Sequence, residues 1–165
     1  MNSYFAKNYI KLKYPKAGEE TSGLRNAQLG AIHSISSFFT LNKTKAAIVV
    51  MPTGSGKTAV LMMTPYALES NKVLVITPSK LVRSQVSGEY STLKTLTKVN
   101  VLPENIKKPK VFEMQSLYKE DHDNQIENSY VIVATPQVGL SLSRVENIRN
   151  KFDLVLIDEA HHVPA

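Results

Sequence analysis

The sequence predicts an α/β fold in which helices cover a mostly parallel sheet. Apolar runs rich in valine, isoleucine and leucine recur along the chain, and amphipathic stretches with helical spacing separate them. Continuous apolar runs are typical of parallel strands that are buried on both faces. Strands that alternate with helices favour a doubly wound sheet with right-handed crossovers.

The apolar runs and the helical spacing give the order of the elements. Strands are predicted over residues 46–50, 73–77, 130–134 and 153–157, with a weaker one over 110–113. Helices are predicted over residues 24–39, 57–69, 79–90 and about 136–148. Ser22 is the expected cap of the first helix. Pro65 predicts a kink or an end near Thr64 in the second, because proline cannot donate a helical hydrogen bond.

Length and composition limit the functions that the chain can have. It has 165 residues, of which 42% are apolar, a formal net charge of +6 and no cysteine. This length suits one domain with a real core, and no apolar run reaches the roughly 18 residues that cross a membrane. The lack of cysteine excludes disulfides and thiolate metal sites and fits a cytoplasmic protein. The positive charge favours polyanionic partners.

Residues 1–20 are predicted to form a basic, aromatic leader before a domain over residues 21–165. Its tyrosines and lysines could stack on bases and meet phosphates. The favoured alternative is that the aromatic rings pack on the core while the lysines face water. Because the last apolar run ends at Ile157, the sequence predicts a domain that is incomplete at its carboxyl-terminal end.

A glycine-rich segment follows the first apolar run and has the form of a phosphate-binding loop. It reads Met51-Pro52-Thr53-Gly54-Ser55-Gly56-Lys57-Thr58 and continues into Ala59. The two glycines can adopt backbone angles that let N–H groups converge on an anion. Lys57 supplies charge for the outer phosphates, and the Thr58 hydroxyl is placed to ligate Mg²⁺. Met51 stands where the strict pattern has glycine, and an ordinary turn is the alternative interpretation.

Two carboxylates follow the last apolar run, in the tetrad Asp158-Glu159-Ala160-His161. In parallel sheets, ligands bind at the carboxyl ends of the strands. Asp158 is predicted to hold Mg²⁺ through water, and Glu159 to orient or deprotonate a water that attacks the γ-phosphate. The sequence therefore predicts ATP and Mg²⁺ as cofactors, unless the two acids simply end a strand.

With both motifs in order, the chain resembles the first RecA-like domain of superfamily 2 (DEAD/DEAH-type) helicases and translocases, over about residues 22–163. The ending Asp-Glu-Ala-His-His resembles the motor subunits of restriction enzymes, which implies DNA rather than RNA as the partner and a role in restriction-modification. The resemblance also implies that hydrolysis needs a second RecA-like domain. It gives His161 a role in coupling the nucleotide state to domain motion.

The resemblance extends to other segments. Leu24-Arg25-Asn26-Ala27-Gln28 is similar to a family segment whose glutamine reads adenine, so Gln28 would select the base with Arg25 as its helper. The alternative is that Gln28 is a polar residue on the outer face of the helix. The blocks after two strands resemble segments that grip a nucleic-acid backbone, which implies phosphate contacts by Thr77, Ser79, Arg83 and Thr135. Ordinary helix capping by Ser79 is the alternative for that residue.

The implied nucleotide-binding set is therefore Arg25, Gln28, Pro52, Thr53, Gly54, Ser55, Gly56, Lys57, Thr58 and Ala59. Three alternatives to a DNA motor remain from the sequence: an RNA helicase of the same superfamily, a non-catalytic nucleic-acid-binding module, and a small-molecule kinase. The kinase is disfavoured because kinase lids carry several arginines, whereas this chain has four that are widely scattered.

Overall fold

The computed structural model describes residues 3–42 and 44–160. Four strands of this described part form one sheet: β1 (Val73–Ile76), β2 (Val111–Glu113), β3 (Val131–Ala134) and β4 (Leu154–Ile157). They are ordered β2-β3-β1-β4, and every neighbouring pair is parallel. Val73 of β1 pairs with Val131 on one side and Leu154 on the other. The predicted α/β fold with a mostly parallel sheet is confirmed.

Helices connect and flank these strands. They are α1 (Tyr4–Asn8), α2 (Asn26–Leu41), α3 (Lys57–Ala67), α4 (Lys80–Thr92), α5 (Lys94–Lys98), α6 (Asp123–Asn128), α7 (Pro136–Ser143) and α8 (Glu146–Arg149). Short 3₁₀ turns cover Tyr9–Lys11 and Glu120–His122.

The described chain divides into two compact units. The sheet unit contains residues 3–4, 70–92 and 107–160, and so holds all four strands. The helical unit contains residues 5–42, 44–69 and 93–106, and so holds α2, α3 and α5.

The core of the sheet unit lies where α7 and its neighbours cover one face of the strands. Its buried members are Leu74, Ile76, Met114, Ile126, Ile132, Ala134, Val138, Leu142 and Ile148. Gly139 of α7 lies so close to β1 that a Cβ atom there would be 2.4 Å from Cδ1 of Ile76. The apolar runs that form β1 and β3 are therefore buried, as the sequence predicts.

The predicted strand over residues 46–50 is wrong. The structure has no strand there, and Ile48 and Val50 are 88% and 90% exposed. An apolar run becomes a strand only when a neighbouring strand accepts its backbone hydrogen bonds. These residues belong to the helical unit, which contains no strand among its described residues.

Three helix boundaries differ from the prediction. Arg25, rather than Ser22, is the N-cap of α2. Helix α3 runs past Pro65 to Ala67 instead of ending near Thr64. The hydroxyl of Thr64 donates to the Val60 carbonyl at 2.8 Å, one of several bonds that hold this turn together. The helix predicted over 136–148 is two helices, α7 and α8.

The edge strand β4 is less buried than its sequence predicts. Burial alternates along it, with Val155 51% and Ile157 47% exposed. Val155 and Ile157 pair with Leu74 and Ile76 and so lie on the face that α7 covers, but this cover does not extend fully over the edge strand. The aromatic residues of the segment over residues 1–20 also differ in burial. Tyr4 and Phe5 are buried, whereas Tyr9 and Tyr14 are partly exposed.

Candidate nucleotide-binding site

The glycine-rich segment of the helical unit has the backbone that a phosphate loop needs. Gly54 and Gly56 both have positive φ angles, +74° and +84°. A turn closes the segment, because the N–H of Ser55 donates to the carbonyl of Pro52 at 3.2 Å. Helix α3 begins at Lys57, with Gly56 as its N-cap. The start of a helix leaves N–H groups without intrahelical acceptors and carries a partial positive charge.

Two side chains at the start of α2 donate hydrogen bonds to backbone carbonyls of this loop. Nη1 of Arg25 donates to the carbonyl of Gly54 at 2.7 Å. Nε2 of Gln28 donates to the carbonyl of Gly56 at 3.0 Å, while its Oε1 accepts the N–H of Arg25 at 2.8 Å. The Gln28 side chain is buried. It lies so close to Gly56 that a Cβ atom on that glycine would be only 2.3 Å from Nε2 of Gln28.

The donors of the loop fit a magnesium triphosphate. The hydroxyl of Ser55 is buried and has no hydrogen-bond partner in the described structure. Buried polar groups are nearly always satisfied, so an orphaned hydroxyl within a glycine turn suits an oxygen-rich anion. Lys57 is partly buried, and the Thr58 hydroxyl lies on an exposed residue. This set combines a cation, hydroxyl donors and a helix start, which is the chemistry that phosphates and their metal ion require.

The predicted acidic pair lies directly after β4 in the sheet unit. The N–H of Asp158 donates to the carbonyl of Ile76 at 2.8 Å, which extends the pairing with β1 past the end of the strand. Glu159 has a φ of +51°, in the left-handed region that costs a residue with a side chain about 1–2 kcal/mol. The other described non-glycine residues with positive φ lie next to helix ends: Glu69, Leu93 and Asn100. Strain of this kind clusters at active sites.

The four predicted phosphate contacts are mostly buried. Thr77 is inaccessible, Arg83 is 5% exposed and Thr135 is 8% exposed. Ser79 is exposed, and its hydroxyl accepts the N–H of Val82 at 3.3 Å, so it caps α4. The side chains of Thr77, Arg83 and Thr135 are therefore largely inaccessible to solvent, and their phosphate contacts stay predictions.

Arg83 has a partner that no sequence pattern indicates. Its Nε donates to Oε1 of Glu113 at 3.0 Å, and its Nη1 donates to the carbonyl of Met114 at 3.3 Å. The hydroxyl of Ser84 donates to the same carboxylate oxygen at 2.7 Å. These bonds join α4 to the end of β2, so the guanidinium stabilises the packing of the sheet unit.

Other predictions concern metals, membranes and coupling. No group of three or more histidine, aspartate or glutamate side chains in the described ranges could hold a metal ion by itself. No helix within residues 3–42 and 44–160 is long and apolar enough to cross a membrane. His161 lies outside the described residues, so its predicted coupling role stays a prediction.

Comparison with known protein families assigns the chain to a family. The family described as type III restriction enzyme, res subunit (ResIII), matches residues 21–165. The chain belongs to this family. A ResIII domain is a helicase-type domain, so the family assignment favours a motor over the kinase alternative.

Comparison with solved structures gives the same fold. The crystal structure of the UvsW helicase from bacteriophage T4 matches with a TM-score of 0.59 and 18% sequence identity. The match covers 95% of this ResIII chain and 50% of the helicase chain, so the chain spans about half the length of that protein. No curated protein sequence matches significantly. The predicted relationship to the first RecA-like domain of superfamily 2 helicases is confirmed.

Proposed function

We propose that this ResIII domain is the nucleotide-binding domain of an ATP-dependent DNA helicase or translocase. The observation that carries the proposal is the phosphate loop, in which two glycines with positive φ lead into α3 at Lys57. The loop also buries the Ser55 hydroxyl without a hydrogen-bond partner. A purely structural turn would gain nothing from such an unpaired group, whereas a phosphate oxygen could accept its hydrogen bond. The strained backbone of Glu159 after β4 supports the proposal from the other motif.

The residues of the two motifs have different roles in binding and hydrolysis. Lys57 binds the outer phosphates, and the hydroxyl of Thr58 together with Asp158 holds Mg²⁺. Glu159 orients the attacking water and accepts its proton. Bound Mg²⁺ would neutralise charge on the β- and γ-phosphates. The remaining loop residues, 52–56 and Ala59, surround the phosphate chain with backbone amides.

DNA is the proposed nucleic-acid partner, and RNA is the alternative. The family description names restriction enzymes, and the matched structure is titled a helicase. The net charge of +6 favours a polyanion. Exposed Ser79 at the start of α4 is the one predicted phosphate contact with an accessible side chain. His161 would pass the nucleotide state to a second domain.

Hydrolysis is proposed to need that second RecA-like domain. Motor proteins of this kind gain an arginine from outside the phosphate-binding domain, which is worth about 10³–10⁵ in rate. We therefore expect the 165-residue chain to bind Mg·ATP and to hydrolyse it very slowly.

Nucleic-acid-stimulated ATP hydrolysis by a protein that carries both domains tests these roles. Lys57→Ala should lose both nucleotide binding and turnover, whereas Glu159→Gln should bind ATP and fail to hydrolyse it. Glu146→Gln changes an exposed glutamate on α8 and serves as the matched control. Comparing single-stranded DNA, duplex DNA and RNA as activators identifies the partner. Undiminished stimulated hydrolysis in both Lys57→Ala and Glu159→Gln would refute the assignments.

A further inference from the structure

The basic, aromatic leader over residues 1–20 has no role in either motif. Counted over the whole sequence of each unit, the helical unit has ten lysines and arginines and four aspartates and glutamates, whereas the sheet unit has ten of each. The helical unit therefore carries the full net charge of +6. Residues 5–17, which belong to this unit, include four lysines and no acidic residue.

The leader is fixed to the helical unit. The Phe5 ring is fully buried and meets the Tyr66 ring edge-on, with 4.8 Å between the ring centroids. The N–H of Lys13 donates to the carbonyl of Val101 at 2.9 Å, and Leu12 beside it is buried. These contacts hold the leader in one conformation before any partner binds.

The lysines of this anchored segment face solvent. All four are exposed: Lys7, Lys11, Lys13 and Lys16. Among the described residues, none of the four forms an ion pair. Leu12 has an extended backbone and is buried, so Lys11 and Lys13 on either side of it lie on the solvent side. Cations on a fixed backbone attract a polyanion and need little ordering to meet its phosphates.

Tyr9 adds an accessible aromatic ring between these lysines. Its side chain is 46% exposed. The Tyr14 ring packs against His33, with 5.1 Å between the ring centroids. Burial and, to a smaller extent, Tyr9 raise the pKa of Tyr14, so the two tyrosines are neighbours. A ring among lysines suits a single strand, because an unpaired base can stack on the ring while its phosphates meet the cations.

We propose that a leader surface, made of Tyr9, Lys7, Lys11, Lys13 and Lys16, binds single-stranded nucleic acid. It is a contact separate from the blocks that follow the strands. Three of the four phosphate contacts predicted in those blocks have buried side chains, whereas every side chain of the leader surface is exposed. The inference rests on the proposed function, because it takes the polyanion to be the nucleic acid on which a helicase domain acts.

Fluorescence anisotropy of labelled oligothymidylate, titrated with the 165-residue chain at several salt concentrations, tests the inference. Changing the four leader lysines to alanine should weaken binding at least about tenfold in about 0.1 M salt. It should lower the salt slope by up to about 3, since each lost phosphate contact removes about 0.7. Arginines at the same four positions keep the charge and should keep the affinity.

A matched variant removes the same charge from the sheet unit. It changes four exposed cations to alanine: Lys107, Lys110, Lys119 and Arg144. This variant should lose less than about threefold in affinity, because salt screens charges that lie away from the bound strand.

Tyr9 gives an independent arm, which keeps the test decisive if the four-alanine variant does not fold. Tyr9→Ala should weaken oligothymidylate about fivefold or more, as expected for one stacked base, and leave duplex DNA nearly unchanged. Tyr9→Phe keeps the ring and should keep the affinity. Equal losses for oligothymidylate and duplex DNA in Tyr9→Ala would contradict stacking on a base.

A fluorescent ATP analogue, titrated in parallel in Mg²⁺, separates this inference from the proposed function. Unchanged oligothymidylate binding in the four-alanine variant, or an equal loss in the sheet-unit variant, would overturn the inference. A loss confined to phosphatidylserine vesicles would also overturn it, because the partner would then be a membrane. In each case saturable binding of the analogue leaves the proposed nucleotide site standing. If the unaltered protein binds neither oligothymidylate nor the analogue, both proposals fail.

Discussion

Replacing Gly56 with alanine should lower the free energy of unfolding more than the same change at Gly54. Both residues have positive φ, +74° at Gly54 and +84° at Gly56, so both changes strain the backbone. Only Gly56 is also crowded. A Cβ atom there would be 2.3 Å from Nε2 of Gln28, whereas a Cβ atom on Gly54 meets nothing within 4 Å.

The magnitudes follow from these distances. Left-handed backbone costs a residue with a Cβ atom about 1–2 kcal/mol, which is the full expected loss for Gly54→Ala. Gly56→Ala adds overpacking, worth about 1–3 kcal/mol, and displaces the Gln28 bond, worth about 0.5–1.5 kcal/mol. We expect the loss for Gly56→Ala to exceed that for Gly54→Ala by the sum of these two costs, about 1.5–4.5 kcal/mol. In a Gln28→Ala background the crowding disappears, so the difference should fall below about 0.5 kcal/mol.

Urea unfolding of the two single variants, Gln28→Ala and both double variants gives the required cycle. Strong coupling between Gly56→Ala and Gln28→Ala, with none between Gly54→Ala and Gln28→Ala, is the predicted result. Equal losses for the two glycines, or additive losses at Gly56 and Gln28, would show that the amide does not pack against the loop.

Three further predictions concern the sheet unit. Glu113→Ala should cost about 2–4 kcal/mol in urea unfolding because it leaves Arg83 buried without its carboxylate, and Arg83→Met should cost less; the reverse order would contradict the ion pair. The Tyr118 hydroxyl donates to Asp123 at 2.7 Å, and this bond raises the pKa of Tyr118 to about 12. Spectroscopic titration of Asp123→Asn should move that pKa back towards 10.0, and an unmoved pKa would exclude the bond. Gly88→Ala fills open space within α4 and should raise the unfolding free energy by about 0.5–1 kcal/mol, so a loss would show an unseen contact.

The sheet was predictable because its signal is local. The runs that became β1, β3 and β4 are continuous apolar segments, and each strand lies within a residue of its predicted limits. The run over residues 46–50 has the same composition and is no strand. A strand depends on a partner that its own sequence does not encode, so composition alone could not separate these cases.

The candidate site, too, was predictable only where its signal is local in the sequence. The loop from Gly54 to Lys57 was visible because glycines that permit positive φ and the lysine that follows are neighbours in sequence. The burial of Arg83 was not visible, since its partner Glu113 is distant in sequence and belongs to another element. The bonds of Arg25 and Gln28 to the loop are hidden for the same reason, because they join segments separated by 28 or more residues.

Titration of the chain with a fluorescent ATP analogue in Mg²⁺ tests the central proposal most directly. The unaltered protein should bind saturably, Lys57→Ala should lose that binding, and Lys98→Ala, which changes an exposed lysine of α5, should keep it. Equal binding by Lys57→Ala and the unaltered protein, or no saturable binding by the unaltered protein, would contradict a phosphate loop at residues 52–58.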